Sequence, residues 1–161
     1  PDGYYLQMLA GKNIDWIRCY AMGEYVYVQE GRPVWSEFDQ NSMVGEVEYQ
    51  LDYPIQIGLD FGLTPACVFG QKLSNGRWII VDEIVSEDMG LQRFTDKIMT
   101  LLNTKYHKAK VLVFGDPAGM QRDQIYEVTA FDHLRSIGLN ATPTATNDFK
   151  VRRERSWAIK I

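Results

Sequence analysis

Cysteine and histidine are scarce in this chain. Cys19 and Cys67 lack any paired C-x-x-C spacing, and His107 and His133 stand alone. This argues against a zinc site or a disulfide framework and makes a reducing compartment the default. No apolar run approaches the roughly 18 residues of a membrane span, so no membrane partner is expected. A G-x-x-x-x-G-K-[ST] loop is missing as well, which excludes a P-loop nucleotide site within these residues. Positive charge is not in excess: the formal net charge is -4, unlike that of a simple basic nucleic-acid binder. The opening Pro1-Asp2-Gly3-Tyr4-Tyr5 has neither Met nor a signal-like apolar segment and reads as an internal cut in a longer protein. No internal repeat or low-complexity tract occurs.

What is present suits one domain with a proper core. The 161 residues are 45% hydrophobic and 24% charged, a globular composition. Charge is unevenly placed: residues 1–60 hold ten acids and three bases, whereas 61–161 hold eleven acids and fourteen bases. The densest basic run is Lys150-Val151-Arg152-Arg153-Glu154-Arg155. It reads either as a solvated helix face or as a phosphate-facing surface.

Residues 1–50 form an aromatic-rich lead-in. Short helices are expected at Tyr4–Ala10 and Asp15–Met22, with extended segments at Tyr25–Val28 and Val34–Phe38 flanking the Gly31-Arg32-Pro33 turn. From residue 51 the pattern is more regular. Strands are expected at Ile55–Asp60, Ala66–Leu73 and Trp78–Val85, the last two joined through the hairpin signal Ser74-Asn75-Gly76. An apolar stripe at Leu91, Phe94, Ile98, Leu101 and Leu102 marks a helix over Gly90–His107. Val111–Gly115 is a fourth strand, reached through that helix and so parallel to the first. A helix over Ala130–Ile137 stopped by Gly138, a weak strand over Leu139–Ala145, and a helix from Asp148 with Thr146 or Asn147 as cap complete the order β-β-β-α-β-α-β-α.

Two of these strands end in an acid: Asp60 after Ile55-Gln56-Ile57-Gly58-Leu59, and Asp116 after Val111-Leu112-Val113-Phe114-Gly115. Ligands of open α/β sheets bind outside the carboxyl ends of the strands. On parallel neighbours the two carboxylates share one cleft and repel, and a divalent cation relieves the repulsion. Either acid alone equally suits a cap for the following turn; the pair favours a metal. Gly58, Gly62, Gly115 and Gly119 leave room for close approach of a ligand or serve turn geometry.

The element order, with an acid on strand one and another ending strand four, resembles the ribonuclease H-like fold, an α/β mixed sheet. The lead-in Asp15-Trp16-Ile17-Arg18-Cys19-Tyr20-Ala21-Met22-Gly23-Glu24-Tyr25 and Glu30–Asp39 resemble the segment joining ATPase and nuclease in tailed-phage terminase large subunits. Gly58-Leu59-Asp60-Phe61-Gly62-Leu63-Thr64-Pro65-Ala66 is similar to that family's first nuclease motif, and Gly115-Asp116-Pro117-Ala118-Gly119 to its second. Thr146-Asn147-Asp148 with its Arg-rich helix is similar to a later segment.

The resemblance implies a C-terminal nuclease domain at 51–161, preceded by a linker at 1–50 from an absent ATPase domain. Asp60 and Asp116 would be both catalytic and metal ligands for two Mg²⁺ or Mn²⁺ ions that drive phosphodiester hydrolysis of double-stranded DNA. A third acid is expected beyond Ile161, so the 161-residue piece by itself is expected to be weak or inactive as a nuclease. Arg122, Lys150, Arg152, Arg153 and Arg155 are candidate DNA-phosphate contacts. The implied partners are the upstream ATPase domain, the small terminase subunit and the portal, in the host cytoplasm. Two alternatives stay open: an actin-like ATPase or sugar-kinase half-domain, whose first phosphate loop Ile57–Thr64 also resembles, and a non-catalytic docking domain of the same fold.

Overall fold

The computed structural model describes residues 9–12, 14–25, 35, 38–122 and 127–157, without the side chains of Phe149, Arg153 and Trp157. The chain divides into two compact units, Pro1–Phe38 and Asp39–Ile161. In the first, α1 (Ile14–Trp16) runs into a wider π-helical turn, Ile17–Ala21, close to the expected Asp15–Met22 helix. The Trp16 and Tyr20 rings lie 5.0 Å apart, and Arg18 pairs with Glu24 at 2.7 Å. The helix expected at Tyr4–Ala10 and the extended segments at Tyr25–Val28 and Val34–Phe38 fall mostly outside the described residues.

The second unit opens with a short helix, α2 (Gln40–Met43), capped by the Asp39 carboxylate, which accepts from the Asn41 N–H. A five-stranded mixed sheet follows, in the order β3-β2-β1-β4-β5. Its strands are β1 (Ile55–Asp60), β2 (Ala66–Lys72), β3 (Trp78–Val85), β4 (Val111–Gly115) and β5 (Ala141–Pro143). The first three form the expected antiparallel meander, because the connections at 61–65 and 73–77 are too short for a crossover. The 14-residue helix α3 (Leu91–Thr104) carries the chain to β4, which pairs with β1 in parallel. Helix α4 (Ala130–Ser136) then leads to β5, parallel to β4, and α5 (Phe149–Trp157) comes last. This is the ribonuclease H-like arrangement. The weak fifth strand is shorter than the expected 139–145, since only Ala141–Pro143 finds partners on β4.

Alternation along the strands decides which side of the sheet is sealed. Ile55, Ile57 and Leu59 of β1 point to one face with Cys67 and Phe69 of β2 and Val113 of β4, and all are buried. Phe94, Ile98 and Leu102 of α3 and Phe131 and Leu134 of α4 close this core. Helix α4 starts in a capping box: the Asp132 N–H donates to Thr129 Oγ1, and the Asp132 carboxylate accepts from the Thr129 N–H.

Gln71 is a buried polar residue, as are Thr95 and Ser86; it is a fully buried amide on β2 whose hydrogen bonds go to backbone. Its Nε2 donates to the carbonyls of Gln50 (2.7 Å) and Tyr53 (2.6 Å), and its Oε1 accepts from the Gln50 N–H at 2.7 Å. A buried amide left unsatisfied would cost about 1–3 kcal/mol, so this clamp ties residues 50–53 to the sheet. Tyr49, packed edge-on against Tyr106 at 5.0 Å, reinforces it.

Candidate functional site

β1 and β4 run parallel in a register that pairs Leu59 with Gly115. Asp60, the last residue of β1, and Asp116, the first after β4, follow this pair at the same sheet end. The Asp116 N–H donates to the Leu59 carbonyl at 3.3 Å, which holds the two chain ends together just where the acids emerge. Both carboxylates line one cleft of about 480 Å³. Its floor is the open face of the sheet at Gly58, Val68 and Phe114, and its far wall is the Thr144–Thr146 loop with Arg152, Arg155 and Ser156 of α5.

Phe61 explains why glycines surround the acids. Its ring lies 5.6 Å, edge to face, from the Phe131 ring. A Cβ on Gly115 would come within 2.8 Å of the Phe61 ring, and one on Gly119 closer still. These two glycines therefore admit an aromatic wedge that locks the end of β1 onto the end of β4; their small size answers to Phe61. Gly62 has φ +146°, a conformation that other L residues rarely adopt, so its role is the turn out of β1. At Gly58 a Cβ would meet nothing within 4 Å, so this glycine leaves the cleft floor open, whereas Gly115, which also lines the cleft, is held small by Phe61.

The two carboxylates have different surroundings. Asp116 caps the 3-10 turn Pro117–Met120: its Oδ1 accepts from the Ala118 N–H at 2.8 Å. Its Oδ2 accepts from Arg152 Nη1 at 3.2 Å, an ion pair bridging 36 positions of sequence. The Ala118 N–H first, then the Asn147 side chain and the Arg152 charge, hold the Asp116 carboxyl below its ordinary value despite partial desolvation. Asp60 is exposed and accepts no hydrogen bond or ion pair from the described residues, so both its oxygens are left for a ligand. The cap reading and the site reading of Asp116 thus hold together, one oxygen for each.

The basic candidates separate. Arg152 and Arg155 reach the cleft, placed there by α5. The helix is begun by Asp148, whose Oδ1 accepts from the Val151 N–H at 2.9 Å; neither Thr146 nor Asn147 is the cap. Thr146 instead accepts from the Asp148 N–H, and Asn147 turns to Asp116, a contact that only the folded loop reveals. Lys150 is exposed on the same helix and does not line the cleft. The Arg153 side chain lies outside the described residues. Arg122 sits elsewhere, donating Nε–H to the Glu127 carbonyl at 2.9 Å beside its bridge to Thr129.

Two neighbouring groups add no chemistry to the cleft. Glu83 shares the open face by its pairing with Val68, but β2 separates it from β1. Cys67 borders the cleft with its backbone while its side chain is sealed in the core. Burial pushes that thiol up to about 12, too high for a nucleophile at neutral pH.

The residues suit a hard divalent cation in kind: two carboxylates at one sheet end, with one of them already holding a cationic guanidinium. Among the described residues no third His, Cys, Asp or Glu joins them. Also among the described residues, no helix is long and apolar enough to cross a membrane.

No protein-family model and no curated protein sequence matches the chain. Solved structures do. A large terminase from a thermophilic bacteriophage, in its crystal form 3, superposes with a TM-score of 0.58 at 19% identity, over 78% of this chain and 31% of that one. The same terminase with ATP-γ-S gives 0.58 at 20% identity, and its crystal form 2 gives 0.56 at 21%. The chain spans under a third of the length of these neighbours. The fold of this chain is similar to that of a segment of a phage large terminase.

Proposed function

We propose that this chain is the nuclease domain of a phage DNA-packaging terminase, cutting double-stranded DNA by metal-dependent phosphodiester hydrolysis. The observation that carries the reading is the pair Asp60 and Asp116 at adjacent parallel strand ends, lining one cleft with Arg152 and Arg155. Asp60 and Asp116 would hold Mg²⁺ or Mn²⁺, which would supply polarisation of the phosphodiester and a lowered pKa for an attacking water. The protein's own part is placement. Phe61 fixes the two strand ends, the Ala118 N–H and Asn147 orient Asp116, and the guanidinium groups of α5 meet phosphate oxygens on the far side of the cleft. The ATPase domain, small subunit and portal belong to this reading as the rest of the packaging motor.

Plasmid DNA incubated with the protein and MnCl₂ tests it. Nicking that is weak in this 161-residue piece and disappears in both Asp60→Asn and Asp116→Ala is the expected result. Loss in neither would place any cutting outside this cleft. ATP hydrolysis without nicking would favour the actin-like alternative.

A further inference from the structure

The wall facing the two acids is cationic, and one of its members already touches an acid. Arg152 has a side chain 58% exposed, yet its Nη1 is held 3.2 Å from Asp116 Oδ2, whose own side chain is 16% exposed. The contact is set by the helix. Asp148 caps α5 through the Val151 N–H, and the Arg152 N–H donates to the Asp148 carbonyl at 3.0 Å. Arg152 is thereby fixed on the first turn, directly above the lip of β4. Asp116 has two oxygens, and the 3-10 turn uses Oδ1. Arg152 occupies the other, the one left for a ligand. Asp60, across the same cleft, has no counterion among the described residues. Arg155 lines the cleft one turn further on, and no ion pair joins it to either acid.

We infer that Arg152 is an internal counterion that competes with the divalent cation for Asp116 and leaves it when the metal binds. The inference rests on the reading of this cleft as a metal site and adds a control to it. A guanidinium and a divalent ion cannot share one carboxylate oxygen without strong repulsion. Metal entry therefore breaks the Asp116–Arg152 contact, and the released guanidinium, on a flexible exposed side chain, is free to take a phosphate oxygen in the same cleft. Without metal, Arg152 compensates Asp116, which weakens the repulsion between the two acids at the strand ends.

The test is calorimetric titration of the 161-residue protein with MnCl₂ at about 0.15 M salt, where screening confines charge effects to roughly 8 Å. Arg152→Ala should tighten Mn²⁺ binding about two- to fivefold, the worth of an exposed ion pair. Arg152→Gln, which keeps a long helix-compatible side chain, should do the same and guards against a folding defect in the first variant. Arg155→Ala removes an equal charge from the same wall without touching Asp116, and should change affinity by less than about twofold. Unchanged affinity in both Arg152 variants, or an equal gain in Arg155→Ala, overturns the competition. Those results leave the metal site standing if Asp60→Asn abolishes binding. Absence of Mn²⁺ binding in the wild type and all variants overturns the metal reading itself and the competition with it.

Discussion

On one face of the sheet Ile55, Ile57, Phe69 and Val113 lie sealed beneath α3 and α4, while on the other Val68, Ile80 and Leu112 remain 41%, 46% and 37% exposed around a pair of acids. The same strands supply both faces, alternating residue by residue. The sealed face carries the apolar burial that drives folding. The open face and the sheet end hold the titratable groups, which gain little from burial and remain accessible to ligand. Substitutions should therefore sort by face: large losses of stability on the first, and effects on binding with little loss of stability on the second.

The largest expected effect breaks the sealed face. Phe131→Ala removes a ring that is 2% exposed and supports Phe61. It should cost about 3–5 kcal/mol, read as a lower urea midpoint at unchanged slope. Gly119→Ala comes next. Its new methyl meets the Phe61 ring, and such overpacking typically costs about 1–3 kcal/mol. Because Phe61 locks the strand ends that carry the acids, this variant should also weaken Mn²⁺ binding, a coupling between the faces that Phe131→Ala shares and open-face variants lack.

Asp116→Asn sharpens the comparison at the boundary. Asn still caps the 3-10 turn, but the charge is lost. The folded-state pKa of Asp116 is lowered, so its charge stabilises the fold above the ordinary carboxylate value near 3.8. That contribution disappears as pH falls through the lower folded value. Thermal melts should show the wild type more stable than the variant at about pH 6 by about 0.2–1 kcal/mol, with the two curves converging in acid. Asp39 and Asp132 are lowered too, each chiefly by a side-chain hydrogen bond, to Ser42 and Thr129 respectively. The variant should therefore keep a reduced acid slope. The smallest effect belongs to Ile80→Thr on the open face, expected within about 0.5 kcal/mol of wild type. A larger loss there would show that this face is packed after all.

Much of this protein follows from short-range sequence patterns. β1, β3 and β4 have the expected limits because period-two or continuous apolar runs bounded by turn residues are local properties. The helix over 91–104 follows from its apolar stripe, and the meander from its tight turns. Asp60 and Asp116 were legible as strand-end acids for the same reason. The rest needed contacts between distant residues. Arg152 reads as one of several bases in a run; its ion pair with Asp116 spans 36 positions and exists only because Asp148 aims the helix. Arg122 was indistinguishable from Arg152 in sequence, yet its Nε–H donates to the Glu127 carbonyl. Gly115 and Gly119 signalled small size, and only packing shows that an aromatic ring is the reason. Gln71 gave no signal, since a glutamine in a strand is ordinarily exposed, and burial becomes tolerable only when the chain at 50–53 supplies every partner. Local propensity and turn chemistry thus determined the elements and the position of the two acids along them. Tertiary structure decided which charges meet, because a pairing is a property of two chain segments and neither carries it alone.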